Sequence, residues 1–255
     1  MVKKIGFGLL GILVLSSMTV TWQAKNLSPV EILKRAEAQL SASSLIAEMD
    51  VSIIRPRWTK TMRMKVWSKG ADYAMAYVMG PEKDKGTVYL KSKSEVYNYL
   101  PKIKKTIKLP AALLGQNWMG TDMTTDDLMK LTRISVEYNA TNVGTEVVSG
   151  RNCYVLKLVP KPNADVIWGQ LKLWIDTKNY IQMKSVFYDE DIEPVNTVEA
   201  SQVKLVGGKT IATKIVVTPH AKEGHSTTVT YRNVEFNSPI NTTFFTKGNM
   251  PQVKP

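Results

Sequence analysis

The chain has 255 residues, of which 44% are hydrophobic and 22% are charged, and its formal net charge is +12. This length and composition are enough for one well-buried core, and they exclude a chain that is disordered throughout. The single cysteine, Cys153, excludes an internal disulfide and a thiolate metal cluster, so packing must supply the stability. The excess of lysine and arginine indicates anionic partners, either acidic proteins or lipid headgroups.

Residues 1–24 have the pattern of an export signal. Lys3 and Lys4 form a positively charged start, and an uncharged apolar stretch follows at 5–20. That stretch is shorter than the roughly 20 residues of a membrane-spanning helix, which favours cleavage, whereas the bulky Trp22 near the cleavage site leaves an uncleaved inner-membrane anchor open. Export predicts a location in the periplasm and argues against nucleic acid as the partner of this basic chain.

A helix is predicted for residues 29–40. Ser28 is a good N-cap, Pro29 suits the first helical position, and Glu31 is placed to complete a capping box. The apolar side chains recur at helical spacing and give one face that can lie on a sheet, namely those of Ile32, Leu33, Ala36 and Leu40.

From residue 45 onward, apolar and polar residues alternate, which is typical of half-buried strands. We predict strands at 45–53, 62–66, 72–79, 86–93, 95–100, 103–109, 145–149, 152–159, 168–176, 181–188, 200–206, 210–218 and 227–236. Gly150-Arg151 and Gly207-Gly208 stand where tight hairpins need positive φ. So many short antiparallel strands with few helices predict a mainly β protein with one large curved sheet or barrel, and a β-sandwich is the alternative.

An apolar segment between residues 109 and 131 interrupts the strands. It contains Trp118 and Met119, and a short helix is predicted after Thr124, with Leu128 on its apolar side. A segment this apolar must cover another surface, so we interpret it as a lid over the sheet.

The sequence Gly120-Thr121-Asp122 within this segment predicts a turn that positions the lid, with the Asp122 carboxylate capping backbone N–H groups. A metal site formed by Asp122, Asp126 and Asp127 is the alternative, although no glycine-centred calcium loop is present.

Several motifs in series resemble those of LolA-like outer-membrane lipoprotein-sorting proteins. They are Gly80-Pro81 with Lys85-Gly86-Thr87, Tyr97-Asn98-Tyr99-Leu100-Pro101-Lys102, Trp118-Met119-Gly120-Thr121-Asp122 with Asp126-Asp127-Leu128, residues 150–158, Leu173-Trp174-Ile175-Asp176, Gly207-Gly208-Lys209 and Phe244-Phe245-Thr246. The resemblance implies one domain over residues 25–255, an open antiparallel β-barrel wrapped over a helical lid, and an apolar cavity between them that receives acyl chains.

The resemblance also implies a function. We expect a monomeric periplasmic carrier that takes the acyl chains of a lipoprotein or a lipid from an inner-membrane transporter toward an outer-membrane acceptor. A lipid-binding or sensing module attached to an envelope transport system is the alternative. We expect no enzymatic activity and no cofactor, because His220 and His225 lie in one loop without a partnered nucleophile motif.

Strand methionines and tyrosines, together with the lid, are the candidates for the cavity wall: Met62, Met64, Tyr73, Met75, Tyr77, Met79, Tyr97, Tyr99, Trp118, Met119 and Leu128. The flexible thioether of methionine adapts to cargo of varied shape. Alternation does not tell which face of a strand is inside, and ordinary core packing is the alternative. Cys153 is predicted to be a small buried hydrophobic residue.

A run of lysines precedes the lid, at Lys102, Lys104, Lys105 and Lys108. At least two of these charges should project from one face of a strand, so they predict a basic strip that faces an anionic membrane or an acidic partner. A solvated edge strand that uses lysine against aggregation is the alternative.

Overall fold

The computed structural model describes residues 27–110, 113, 115–124, 134–164 and 166–255. The predicted export signal and part of the predicted lid, including Asp126, Asp127 and Leu128, lie outside the described residues. None of the helices in the described ranges is long and apolar enough to cross a membrane.

Thirteen antiparallel strands form one sheet in the described part of the chain. They are β1 (Ser44–Arg55), β2 (Trp58–Lys69), β3 (Tyr73–Gly80), β4 (Val88–Ser92), β5 (Glu95–Leu100), β6 (Lys105–Lys108), β7 (Tyr138–Val148), β8 (Arg151–Pro160), β9 (Gln170–Asp176), β10 (Gln182–Tyr188), β11 (Pro194–Val206), β12 (Lys209–Pro219) and β13 (Ser226–Phe236). The order across the sheet is β6-β5-β4-β3-β2-β1-β13-β12-β11-β10-β9-β8-β7. The barrel is open, with β6 and β7 as its edges, which confirms the predicted mainly β fold.

Each predicted strand has a counterpart, and the two largest differences have one cause. β7 begins at Tyr138 instead of 145, and β11 begins at Pro194 instead of 200. Both early parts are polar and lack alternation, because β7 is a mostly exposed edge strand and the start of β11 is only half-buried. Both predicted hairpins are present. Gly207 and Gly208 have φ of 55° and 80° as predicted, whereas the first turn uses Ser149 and Gly150, with φ of 50° and 75°, in place of Gly150 and Arg151.

Helix α1 (Pro29–Leu40) has the predicted bounds. The backbone N–H of Glu31 donates to Ser28 Oγ at 3.2 Å, as expected for an N-cap. The predicted capping box is wrong in one part, because the Glu31 carboxylate pairs with Arg35 at 2.8 Å, one turn along the helix. Ile32 and Leu33 are almost fully buried, and each contributes roughly 1.5–3 kcal/mol by burial.

Other elements pack on parts of both faces of the sheet. On one, here called the inner face, α1 packs on leucines and isoleucine of β8 and β9, and a short helix, α2 (Ile134–Glu137), precedes β7. Residues 115–124, here called the lid, cover the inner face of β1–β3 and β13. On the outer face of β2–β5, the residues that follow β13 form a second layer, in which Phe245, Met250 and Val253 pack on Trp67 and Met75.

Candidate functional site

A cavity of about 200 Å³ lies on the inner face, between the C-terminal end of α1 and strands β10–β13 and β1. Its wall is mainly apolar and comprises Leu45, Ile181, Val198, Ala200, Ile211, Ala212, Ile215, Tyr231, Val234 and Phe236, with Gln39, Gln182, Ser185 and Thr210 as polar members. None of these described wall residues is charged. Burial raises the pKa of Tyr231, so its hydroxyl stays neutral as well.

The sheet is hollow here because two covering elements leave a gap. α1 lies over β7–β9, and the lid lies over β1–β3 and β13, so no element among the described residues covers the inner face of β10–β12 between them. The small side chain of Ala200 on β11 deepens this gap. It lies opposite Ile215 in the register of β11 and β12. The gap ends at α1, where Gln39 Nε2 donates to the Thr210 carbonyl at 2.6 Å.

The lid is held to the sheet by a packed apolar cluster. Trp118 is only 5% exposed and meets the ring of Tyr89 edge-on, with ring centroids 5.4 Å apart. Met62 and Met64 lie in the floor beneath it, and Met119 is half-buried beside it. Burial, with a smaller contribution from a nearby carboxylate, raises the pKa of Tyr89 to about 12.

A buried ion pair anchors the lid at the end of β1. Arg55 Nη1 lies 3.0 Å from Asp122 Oδ2, and their side chains are 9% and 2% exposed. Thr227 Oγ1 donates to the same carboxylate at 2.7 Å, and Arg55 also donates to the Gly120 carbonyl at 2.5 Å. Three charge-assisted hydrogen bonds therefore connect the lid with β1 and β13.

This anchor changes the interpretation of Asp122. The predicted turn required this carboxylate to accept from backbone N–H groups. It binds the guanidinium group of Arg55 instead. Within the described ranges, no three His, Cys, Asp or Glu side chains are grouped so that they could hold a metal ion. Since Arg55 already neutralises Asp122, the carboxylate is a structural group of the lid.

The predicted cavity residues separate into two groups on opposite faces. Met62, Met64, Trp118 and Met119 lie on the inner face, and their contact with cargo stays a prediction. The outer face carries the others that the register resolves, namely Tyr73, Met75, Tyr77, Tyr97 and Tyr99. Met79 is half-buried in the bulge where β3 departs from the register of β2.

The predicted cavity residues therefore do not share one face of the sheet, and which of them contact cargo stays a prediction. The side chains on the outer face fill the layer between the sheet and the C-terminal residues; Tyr73, for example, lies 5.7 Å from the ring of Phe245. The residues that do line the cavity were missed because short and aliphatic side chains such as Ala200 and Ile215 look like ordinary core positions in the sequence.

The four lysines of the predicted basic strip do not lie on one face of a strand. Lys102 and Lys104 lie in the turn between β5 and β6, and β6 itself is confined to Lys105–Lys108. Lys105 and Lys108 are three positions apart, so they point to opposite faces of the strand. Lys108 Nζ lies 2.6 Å from Glu95, whose carboxylate raises the pKa of the lysine. Lys102, Lys104 and Lys105 remain as exposed cations at this edge.

Cys153 is fully buried on the outer face, and burial raises the pKa of its thiol to about 11. Because the thiolate is the nucleophile, we expect the folded protein to react with iodoacetamide at neutral pH at least about a hundredfold more slowly than a free cysteine. Mass spectrometry of the alkylated protein measures this, and denaturation should restore the rate. Rapid alkylation of the folded protein would contradict the burial.

Comparisons with known proteins agree on the fold. A family model described as an uncharacterized protein matches residues 70–252. A DUF1329 family protein from Desulfovibrio piger is 20% identical, with a TM-score of 0.78 over 87% of this chain and 97% of its own. No curated protein matches the chain.

Two further crystal structures have the same fold. A domain from Vibrio parahaemolyticus described as an outer membrane lipoprotein-sorting protein is 20% identical, with a TM-score of 0.76 over 88% of this chain and 98% of its own. A LolA superfamily protein from Nitrosomonas europaea is 19% identical, with a TM-score of 0.71 over 87% of this chain and 99% of its own. At these identities the likeness shows the fold, which is LolA-like.

Proposed function

Because this chain belongs to the family whose model matches residues 70–252, and has the LolA-like fold, we propose that it carries acyl chains within the bacterial cell envelope. Residues 25–255 act as one carrier domain in the periplasm. The cavity binds the acyl chains of a lipoprotein or a lipid, and the protein passes this cargo toward the outer membrane without enzymatic chemistry.

The apolar, uncharged wall of the inner-face cavity is the observation that carries this proposal. A charged or strongly polar ligand would lose its hydration there without gaining a partner of opposite charge. A hydrocarbon chain instead gains about 0.8 kcal/mol for each buried methylene group. About eight methylene groups would therefore contribute roughly 6 kcal/mol, which is enough to hold a lipid in water.

The lid fits this proposal as the element that makes room for longer chains. At about 200 Å³ the cavity is smaller than a usual ligand site, which occupies roughly 300–1,000 Å³. Ile215 and Tyr231 belong both to the cavity wall and to the cluster beneath Trp118, so the two regions are continuous. Displacement of Trp118 and Met119 would extend the cavity over Met62 and Met64.

We predict that Ala200→Phe lowers the affinity for a fluorescent fatty-acid probe at least about tenfold, because the new ring occupies space that a chain of several methylene groups would use. Titration of the purified protein with the probe measures the affinity. Saturable binding by the wild-type protein is required.

The matched control is Ser201→Phe, which adds an aromatic ring to the next residue of β11, on the opposite face of the strand. It should leave probe affinity within about twofold of wild type. Equal affinities for the two variants would contradict the cavity as the binding site, and native mass spectrometry of gently purified protein would identify any lipid that remains bound.

A further inference from the structure

Three hairpin turns lie next to one another at one end of the sheet. They connect β1 with β2 (residues 56–57), β3 with β4 (81–87) and β5 with β6 (101–104). The first two are joined by Lys60 Nζ, 2.7 Å from Asp84 Oδ2. The second and third touch where Gly86 approaches Pro101 so closely that a Cβ on the glycine would lie 3.4 Å from the proline ring. The three turns therefore form one continuous edge, here called the docking edge.

Two large apolar side chains at the docking edge are more than half exposed. Trp58 is 51% exposed directly after the first turn, and Ile103 is 56% exposed at the tip of the third. The Lys104 backbone N–H donates to the Pro101 carbonyl at 3.3 Å, which closes a tight turn with Ile103 inside it. The tip of a turn projects into solvent, so it usually carries polar residues. An isoleucine here has no role in the core.

The docking edge also carries unpaired cations. Arg57, Lys83, Lys102, Lys104 and Lys105 are exposed and form no ion pair with any residue that the structure describes. The two acidic residues of the same turns are already paired, Asp84 with Lys60 and Glu82 with Lys85. The acidic turn that connects β10 with β11 lies at the same end of the molecule but on the distant half of the sheet. The end of the barrel is thus polarised, with its positive side at the docking edge.

We propose that the docking edge binds the surface of an anionic lipid bilayer, with Trp58 and Ile103 entering the headgroup region and the cations contacting lipid phosphates. Tryptophan favours the membrane–water interface, and each lysine or arginine near an anionic surface adds attraction. This inference rests on the proposed carrier function, because a carrier must reach a membrane to exchange its cargo.

The spacing of the apolar groups favours a bilayer over an acidic protein. Trp58 is the first residue of β2, and Ile103 lies in the turn between β5 and β6. Strands β2 and β5 are three strand spacings apart, so about 14 Å or more separates the two side chains. Protein interfaces concentrate their apolar anchors in one central cluster. Two separated apolar anchors on a cationic edge instead suit an anionic bilayer, which offers phosphates and apolar lipid chains over its whole surface.

Co-sedimentation with vesicles of equal parts phosphatidylglycerol and phosphatidylcholine tests the proposal. The protein is purified from the cell envelope, and all variants keep the same N-terminus. Lys102→Glu/Lys104→Glu should lower the partition coefficient at least about tenfold, and Ile103→Ser should lower it several-fold. Wild-type binding should weaken with added salt and be much lower on pure phosphatidylcholine. Free phosphate at the concentration of the lipid should not compete.

Matched controls come from the opposite end of the strands and from the acidic turn. Lys93→Glu/Lys178→Glu reverses two exposed turn lysines at the opposite end, and Ile192→Ser removes a 48% exposed isoleucine from the acidic turn. Both controls should bind vesicles like wild type. Equal loss in the controls would overturn the proposal. So would wild-type protein that ignores anionic vesicles, and this result would favour an acidic protein acceptor.

Probe binding in the cavity separates the two hypotheses. If the docking-edge variants lose vesicle binding and keep probe affinity, both proposals stand. If the wild-type protein binds vesicles through the docking edge but never binds the probe, the carrier function fails and the docking surface stands. If probe binding is normal and the docking-edge variants bind vesicles like wild type, the docking surface alone fails.

Discussion

Asp122→Ala is expected to lower the free energy of unfolding by about 3–5 kcal/mol. The substitution leaves the Arg55 guanidinium buried, at 9% exposure, without its carboxylate partner, and it removes the acceptor of the Thr227 hydroxyl. An uncompensated buried charge is far more costly than the loss of a surface contact. Urea unfolding followed by circular dichroism measures the change.

Two further variants decide whether the buried charge is the cause. Arg55→Met/Asp122→Leu removes both charges and should recover much of the loss, because the apolar pair carries no desolvation cost. Arg63→Ala breaks the exposed contact with Asp50 and should cost less than about 1 kcal/mol, since the carboxylate keeps Arg232. A small effect of Asp122→Ala, similar to that of Arg63→Ala, would show that the lid anchor contributes little.

We expect Trp118→Asp to lower probe affinity by a factor of ten or more while it lowers the melting temperature less than a core substitution does. The new carboxylate cannot remain against Met62, Met64 and Tyr89, so the lid should separate from the sheet. Truncating a buried tryptophan costs about 3–5 kcal/mol of local packing. The strand ladders do not depend on Trp118, so the barrel itself should persist. Hydrogen exchange of residues 116–123 should increase.

Trp67→Asp provides the contrast. Trp67 is 8% exposed on the outer face and packs on Phe244, with ring centroids 5.5 Å apart. This substitution should lower the melting temperature strongly, without a selective effect on probe affinity in the fraction that folds. If Trp118→Asp behaves in the same way as Trp67→Asp, Trp118 serves the fold and the lid hypothesis loses its support.

The strands could be predicted from the sequence because alternation is a local property. The start of α1 was predictable for the same reason, since Ser28, Pro29 and Glu31 are neighbours in the chain. Which face of the sheet a strand side chain occupies depends instead on long-range contacts. Met64 and Met75 look alike in the sequence, yet one lies under the lid and the other under Phe245. Only the long-range register and the C-terminal residues separate them.

The two features that define the candidate site had even weaker signals. Arg55 and Asp122 are 67 positions apart, and nothing near either residue indicates that they meet. Among the described residues, the cavity lies where neither α1 nor the lid covers the inner face, and such a position has no signature of its own in the sequence. The exposed Ile103 did have a signal, because an isoleucine between two lysines just after a proline contradicts the usual composition of a turn.

The neighbourhood of β1 and β13 sets the order in which this chain can fold. These strands pair along most of their length, with Leu45 opposite Phe236 and Ile54 opposite Ser226, so the middle of the sheet joins the two ends of the described chain. The hairpins on either side can form early from local contacts, but each remains an incomplete half. Contacts of such large sequence separation make folding slow. We therefore expect the pairing of β1 with β13, at the centre of the sheet, to form last, because a chain that still lacks its last strand cannot make it.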